Sequence, residues 1–201
     1  MARDGNEMQK VLAAGALWSL AYNDDNNLAI AAAGGIEVLV SLARDGNEEQ
    51  KERAAGALAH LALNDDDNSV AIAAAGGIEV LVSLARDGNE GQKEIAAVAL
   101  GNMIEAATGT HEGVVEAGGV AVLSTLTQEA GASDDCKLAA AIALVHLACN
   151  RADLAADDHT WPAPVPTSRL TTLASRCCLS QARSAREGLD QPEEMAGAET
   201  A

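Results

Sequence analysis

Two histidines, His60 and His146, are the side chains of this sequence with the most useful chemistry near neutral pH. They lie in similar apolar segments, ALAHLA and ALVHLA. An imidazole donates and accepts hydrogen bonds and changes charge near neutrality, so both are candidates for holding the backbone of a bound chain. The alternative is that they are solvated residues on a helix face. A metal site is not indicated, because no second ligand recurs at helical spacing beside them.

Catalysis has little support in the sequence. The four cysteines include no Cys-x-x-Cys pair, and Cys149 ends an apolar run typical of a core thiol. The acidic segments at 23–27 and 64–68 lack the alternating ligands and central glycine of a calcium loop. Motifs of serine hydrolases, phosphate loops, dinucleotide sites and zinc proteases are also missing. We therefore predict a protein that is not an enzyme and that has no cofactor and no metal.

The charge balance restricts the partners. The sequence has 30 acidic residues against 13 Lys and Arg, a formal net charge of -17. Nucleic acids are excluded as partners because their binding depends on Lys and Arg. The same field attracts basic segments of other proteins. A polar amino terminus and apolar runs too short to span a membrane predict no membrane insertion and a reduced compartment, cytoplasmic and/or nuclear.

Internal duplication is the strongest pattern in the sequence. Residues 29–48 and 71–90 both read AIAAAGGIEVLVSLARDGNE, and the Gly-Gly pairs recur at a spacing of 42 residues. A repeat of this length predicts units that stack on one another, because no single unit covers its own apolar face. The predicted solenoid spans residues 1–150. Its units are a partial repeat at 1–22 and full repeats at 23–63, 64–105 and 106–149.

Each full unit is predicted to contain three helices. A short helix starts at acidic and amide residues and stops at the Gly-Gly pair, and a second helix ends at Gly88 in the second full unit. The third helix begins at Asn47 in the first full unit, where Gln50 completes an Asn-x-x-Gln capping pattern. The predicted buried residues are Ile78, Leu81, Val82, Leu84 or Ala85 on the second helix, and Ala54, Leu58 and Leu61 on the third.

The capping pattern recurs with the repeat. Asn6 precedes Gln9 and Asn89 precedes Gln92 at the same spacing. In the last unit, the loop is two residues longer, and Ser133 with Cys136 replaces the Asn and Gln. The last unit is therefore expected to begin its third helix differently from the others.

Residues 34–64, GGIEVLVSLARDGNEEQKERAAGALAHLALN, closely resemble armadillo repeats of the kind found in vacuolar armadillo proteins and plant armadillo-repeat proteins. The resemblance covers about residues 1–150. It implies an all-α, right-handed α-solenoid, the armadillo superhelix, of three full repeats plus an N-terminal half repeat. It also implies that the third helices line a concave groove that binds peptides.

The resemblance assigns the candidate site. In armadillo repeats, the third helix often carries a Trp and, four residues later, an Asn that holds the peptide backbone. The Trp positions correspond here to Gly15, Gly56, Val98 and Ile142, and the Asn positions to Ser19, His60, Asn102 and His146. Trp18 and Tyr22 lie off these positions. The predicted peptide-binding residues are Ser19, His60, Asn102 and His146, with Glu52, Arg53 and Glu94 one turn earlier.

The favoured function is a protein-binding scaffold or adaptor that holds an extended, basic segment. One alternative is the substrate-recognition fragment of an armadillo-containing ubiquitin ligase. Another is a nuclear transport adaptor of the importin-α type, which the missing Trp ladder argues against. From about residue 151, the repeat stops and the four prolines appear. This tail, 151–201, is expected to be mostly disordered, with one possible helix at about 168–184.

Overall fold

The computed structural model describes residues 4–63, 65–107 and 109–152, with side chains up to residue 148. All regular secondary structure in these residues is α-helical. The helices are α1 (Glu7–Leu20), α2 (Asp24–Ala32), α3 (Gly35–Asp45), α4 (Glu48–Leu61), α5 (Asp66–Ala74), α6 (Gly77–Asp87), α7 (Glu90–Ala106), α8 (Thr110–Glu116), α9 (Gly119–Leu126) and α10 (Asp134–Ala152). The expectations for Cys149 and for the tail beyond residue 152 lie outside the described side chains and residues.

The described part of the chain is an all-α solenoid, as predicted. Helices α2 to α4, α5 to α7 and α8 to α10 form three successive three-helix units, and α1 precedes them as a third helix. The third helices lie side by side in the order α1, α4, α7, α10, and each contacts the next. Helix α10 continues to Ala152, past the predicted end of the solenoid at residue 150.

The Gly-Gly pair makes the sharp turn between the first two helices of a unit. Gly76 has a φ of 78°, in the left-handed region that side chains disfavour. A Cβ on the next residue, Gly77, would lie 2.7 Å from the backbone oxygen of Ile72. The first glycine therefore permits the turn, and the second permits the close approach of the two helices.

The core consists of small and aliphatic side chains, as predicted. Leu58, Leu61 and Leu81 are fully buried. All the other side chains predicted to be buried on α4 and α6 are also buried, and they are Ala54, Ile78, Val82, Leu84 and Ala85. Alanines are frequent among the buried residues of the third helices α4, α7 and α10, and side chains this small let helices pack close together.

The predicted capping boxes are present and also join the repeats. In α4, the Asn47 side chain accepts from the Gln50 backbone, and the Gln50 Oε1 accepts from the Asn47 backbone. The buried Gln50 then uses its Nε2 to donate to the backbone oxygen of Glu7 on α1, at 3.0 Å. Gln92 Nε2 donates in the same way to Glu48 on α4, at 2.9 Å. Each of these two glutamines therefore caps its own helix and also binds the third helix that lies before it in the stack.

The first glutamine contact has an electrostatic consequence. Gln50 Nε2 also donates to the Glu7 carboxylate, at 2.8 Å. This hydrogen bond, together with the positive charge of Lys10, lowers the pKa of the exposed Glu7 side chain. Because the folded-state pKa is lowered, the contact stabilises the fold above the ordinary carboxyl pKa. That contribution is lost as the pH falls through the lowered value.

The last unit begins differently, as the sequence suggested. The Ser133 hydroxyl accepts a hydrogen bond from the Cys136 backbone, at 3.0 Å, and so caps α10. Cys136 is buried where the other units have glutamine, and a thiol has no amide to donate to the preceding helix. This unit is instead joined to α7 by a Ser133 to Glu94 hydrogen bond and by a Lys93 to Glu129 ion pair.

In the described ranges, no single helix is both long enough and apolar enough to cross a membrane. Two helix pairs reach that length and composition only together. They are α2 with α3 and α5 with α6, bent by 83° and 80° at their Gly-Gly turns.

Replacing Leu58 by Ala tests the buried face of the third helices. We expect the free energy of unfolding to fall by about 2–5 kcal/mol, because a fully buried leucine is lost and a cavity remains. Chemical denaturation measures this change. The control is Leu28→Ala on α2, a residue that is 66% exposed, for which we expect a change within about 0.5 kcal/mol. Equal effects of the two substitutions would contradict the assigned core.

Replacing Gln92 by Glu tests the contact between repeats. Glutamate retains the capping oxygen but cannot donate to the Glu48 backbone, so we expect a loss of about 1–3 kcal/mol in denaturation at neutral pH. Gln9→Glu is the matched control. Gln9 closes the same capping box, but it is exposed and its Nε2 meets no acceptor among the described residues. Similar losses for both variants would show that capping alone matters.

Candidate binding groove

The predicted site residues lie on the four third helices. We call the surface formed by α1, α4, α7 and α10 the third-helix face. Ser19, His60, Asn102 and His146 occupy equivalent positions, 13 residues after the capping residue of each helix. The repeat therefore places one candidate side chain on each successive helix.

Asn102 and His146 both reach back to the preceding third helix. Asn102 Nδ2 donates to the backbone oxygen of Ala59, at 2.9 Å. His146 Nδ1 lies 3.4 Å from the backbone oxygen of Gly101 and 3.7 Å from the Glu105 carboxylate. Ala59 and Gly101 each directly precede a candidate residue, so the two contacts repeat the same geometry. Both side chains thus have a structural role in addition to any role in binding.

His60 belongs to an aromatic cluster that the sequence did not predict. Its Nδ1 lies 3.2 Å from the Trp18 indole nitrogen and 3.0 Å from the Gly56 backbone oxygen. These contacts are alternatives: Nδ1 accepts from the indole N–H in one tautomer and donates to the carbonyl in the other. The exposed Tyr22 ring lies beside the imidazole, with a centroid separation of 4.1 Å.

Trp18 explains why Gly56 has no side chain. A Cβ on Gly56 would lie 2.6 Å from Cε2 of the Trp18 indole. The space at the Trp position of α4 is therefore filled by the Trp18 indole from α1. The only signal in the sequence is a Trp one residue before a candidate position, paired with a Gly on the next helix.

The other glycine at a Trp position is covered by a charged side chain. A Cβ on Gly15 would lie 2.7 Å from the Arg53 guanidinium. Arg53 also makes a 2.7 Å ion pair with Glu49 on its own helix. Arg53 therefore packs against Gly15 and pairs with a carboxylate.

Ser19, the fourth candidate at an Asn position, is exposed, and its hydroxyl donates to the Gly15 backbone at 3.1 Å.

The two candidate glutamates lie where one third helix meets the start of the next. The Glu52 carboxylate lies 3.4 Å from the position of a Cβ on Gly91 of α7. Glu94 accepts from Ser133 before α10, at 3.1 Å. Both side chains are half-buried. They give adjacent helices carboxylates at equivalent positions, and neither carboxylate has a salt-bridge partner among the described residues.

The thiol of Cys136 is buried near the start of α10. Burial, followed by the negative charges of Glu94 and Glu129, raises the pKa of the Cys136 thiol, which therefore stays protonated at neutral pH. Within the described residues, no three His, Cys, Asp or Glu side chains lie close enough to hold a metal ion. The third-helix face carries a row of imidazole, amide and carboxylate groups.

A family model for the Armadillo/beta-catenin-like repeat matches residues 23–63 and 65–105. These two matches coincide with the units α2 to α4 and α5 to α7. The unit α8 to α10 lies outside the matches but contains the same order of helices around a left-handed glycine, Gly118. A comparison with curated proteins found no match.

Solved structures of engineered proteins share the fold. One engineered protein is 34% identical, with a TM-score of 0.69, over 73% of this chain and 59% of its own. Another is 35% identical, with a TM-score of 0.70, over 73% of this chain and 36% of its own. This chain thus spans less than two thirds of either. A designed armadillo repeat protein in complex with the peptide (KR)4 is 24% identical, with a TM-score of 0.68, over 76% of this chain and 66% of its own.

Replacing Gly56 by Ala tests the packing of Trp18. In the natural chain, we expect a loss of about 1–3 kcal/mol in denaturation, because the new methyl group overlaps the indole. In a Trp18→Ala background, the indole is gone and alanine favours a helix over glycine by about 1 kcal/mol. The same substitution should then be neutral or stabilising. A cost that is equal in both backgrounds would contradict the assigned contact.

Proposed function

Because this chain belongs to the armadillo-repeat family, we propose that it is a non-catalytic scaffold or adaptor that holds an extended, basic segment of a partner protein along the third-helix face. The observation that carries the proposal is the row of His60, Asn102 and His146 at one position of three successive third helices. A segment in extended conformation exposes its backbone groups at regular intervals. Polar side chains that recur on successive third helices can each meet one of those backbone groups.

The side chains of His60, Asn102 and His146 have polar atoms that make no hydrogen bond within the solenoid, and these atoms can bind a ligand. Asn102 uses one amide hydrogen on Ala59, which leaves its Oδ1 as an acceptor. His60 and His146 use Nδ1 within the solenoid and have Nε2 for a ligand backbone. The two ring nitrogens of a neutral imidazole have opposite roles, so each histidine accepts or donates at Nε2 according to its tautomer. These groups supply orientation with little dependence on the sequence of the bound segment.

Charge supplies the preference for a basic segment. The chain has a net charge of -17, and Glu52 and Glu94 are on the third-helix face. Glu105 lies near His146 on the same face and is 47% exposed. Carboxylates at successive repeats favour Lys and Arg side chains at successive positions of a ligand. The designed armadillo protein whose complex contains (KR)4 shares this fold, and the peptide it holds consists of Lys and Arg.

We also propose that the protein does not chemically modify its partner and that it works in a reducing compartment. A protein that holds a segment of another protein needs no nucleophile, and the thiol of Cys136 is buried and protonated. A buried free cysteine suits a reducing compartment, so we place the protein in the cytoplasm, the nucleus or both.

A peptide of four Lys-Arg pairs tests the charge preference. We expect it to bind, and Glu52→Gln with Glu94→Gln to weaken binding by about two- to thirtyfold, since each of the two solvent-accessible ion pairs contributes about 0.2–1 kcal/mol. Glu79→Gln with Glu116→Gln is the matched control. It removes the same charge from exposed residues of α6 and α8, away from the third-helix face. Isothermal titration calorimetry at two salt concentrations measures both variants.

Two results would reject the proposal. One is the absence of binding by the natural chain at low salt. The other is an equal effect of both double substitutions, because binding would then reflect net charge and not the third-helix face. His60→Ala with Asn102→Ala separately tests the backbone contacts, and circular dichroism must first show that this variant keeps the helical content of the natural chain. We expect this variant to lower the affinity for the basic peptide and the affinity for a neutral peptide of equal length by the same factor.

A further inference from the structure

A second row of side chains runs beside the candidate residues of the third-helix face. Tyr22, Leu63 and Glu105 each lie 16 residues after the capping residue of α1, α4 and α7, respectively. They occupy equivalent positions, three residues after the candidate residue of the same helix. We call these three residues the second row.

Each second-row residue lies towards the candidate residue of the following third helix. The Tyr22 ring centroid is 4.1 Å from that of the His60 imidazole. The Glu105 carboxylate is 3.7 Å from Nδ1 of His146. The repeat places Leu63 at the same position relative to α7. The second row therefore lies along the path of a segment whose backbone the candidate residues hold.

The exposure of this position belongs to the repeat. Leu63 is 44% exposed and the Glu105 side chain is 47% exposed, although α4 and α7 each have a third helix before them and another after them. Tyr22, at the same position of α1, is 69% exposed. Neither Tyr22 nor Leu63 contributes to the hydrophobic core. All three side chains are thus available to a ligand on the third-helix face.

The chemistry of the second row changes along the array, from an aromatic ring to an aliphatic chain to a carboxylate. Trp18 and Tyr22 are the only Trp or Tyr residues among the described residues, and both contact His60. Aromatic side chains are enriched among the residues that contribute most to binding energy. The start of the second row is therefore suited to a large apolar side chain of a ligand.

The carboxylates of the third-helix face increase in the same direction. The position of Glu52 and Glu94, five residues after the capping residue, carries the buried Val11 on α1. At this position and the second-row position together, α1 has no carboxylate, α4 has one and α7 has two. The face is therefore apolar at α1 and acidic at α7, so the same ligand side chain does not suit both places.

The helix spacing determines how far apart the corresponding ligand residues lie. Packed helices are about 8–10 Å apart, and an extended chain advances about 3.3 Å per residue, so one step of the second row spans about three ligand residues. Two steps, from Tyr22 to Glu105, then span about five or six residues. A peptide of eight residues can reach both ends of the row.

We propose that the second row selects the side chains of the bound segment, with a large apolar residue at Tyr22 and Leu63 and a Lys or Arg at Glu105. This inference rests on the proposed function, because it requires an extended segment on the third-helix face. It makes the ligand more specific, a segment that is apolar at one end and basic at the other. The apolar residue leaves water against the aromatic ring and Leu63, while the basic residue pairs with Glu94 and Glu105.

Three peptides of eight residues with blocked ends test this selection. One is four Lys-Arg pairs, and in the other two its first two residues or its last two residues are replaced by leucine. The two leucine peptides have the same composition and charge and differ only in which end is apolar. We expect the natural chain to bind one of them about three- to tenfold more tightly than the other, because only one chain direction places leucine at Tyr22 and a cation at Glu105. Isothermal titration calorimetry measures all three affinities.

Substitutions in the second row locate the selection. Tyr22→Ser with Leu63→Ser should remove the difference between the leucine peptides and leave the affinity for the Lys-Arg peptide unchanged. Leu28→Ser with Val70→Ser is the matched control. It removes two similarly exposed apolar side chains from the first helices α2 and α5, and it should leave the difference intact.

A charge introduced into the second row should change the selection. Leu63→Glu should strengthen binding of the Lys-Arg peptide by up to about fivefold, the effect of one solvent-accessible ion pair, and weaken the preferred leucine peptide. All the substituted residues are exposed, so circular dichroism should show the helical content of the natural chain for each variant.

Two results would overturn this inference and leave the proposed function standing. In one, the natural chain binds the Lys-Arg peptide but binds both leucine peptides equally. In the other, the difference between the leucine peptides survives Tyr22→Ser with Leu63→Ser, so that the apolar residues bind elsewhere. A natural chain that binds none of the three peptides would reject the proposed function and this inference together.

Discussion

A buried glutamine side chain at the start of α4 and of α7 fixes how each of these helices stacks on the third helix before it. In Gln50 and Gln92, the amide oxygen closes the cap of its own helix. The amide nitrogen donates to the backbone of the third helix that lies before it in the stack. Each amide is thereby satisfied although it is almost completely removed from water. Local helix formation and the register between repeats are therefore fixed by the same group.

Much of this architecture follows from local sequence. The Gly-Gly turns, the Asn-x-x-Gln caps and the apolar positions around Leu58 each depend on residues a few places apart, and the structure contains all of them. The second half of each glutamine contact was not predictable in this way. It joins Gln50 to Glu7, 43 residues apart, and depends on the packing distance between two helices, which no local pattern specifies.

The candidate site was also predictable only in part, in the positions of its residues but not in their contacts. The repeat spacing placed His60, Asn102 and His146 on successive third helices, but not their contacts with neighbouring backbones. Trp18 was excluded from the site because it is one residue away from a candidate position. A side chain as large as an indole reaches across to the next helix when that helix presents a glycine, as Gly56 does. Side-chain size and the shape of the neighbour decided this contact.

Because Cys136 replaces a glutamine, the junction between α7 and α10 lacks the buried amide hydrogen bond that the two earlier junctions have. In a chain of repeats, stability is approximately the sum of what each unit contributes and what each junction adds. The junction between α7 and α10 has the His146 contact with the Gly101 backbone, a partly solvated Ser133 to Glu94 hydrogen bond and a salt-sensitive Lys93 to Glu129 pair, where the two earlier junctions have a buried amide. We therefore expect the junction between α7 and α10 to open more readily than the junction between α4 and α7, so that amide hydrogens at the later junction exchange with deuterium first.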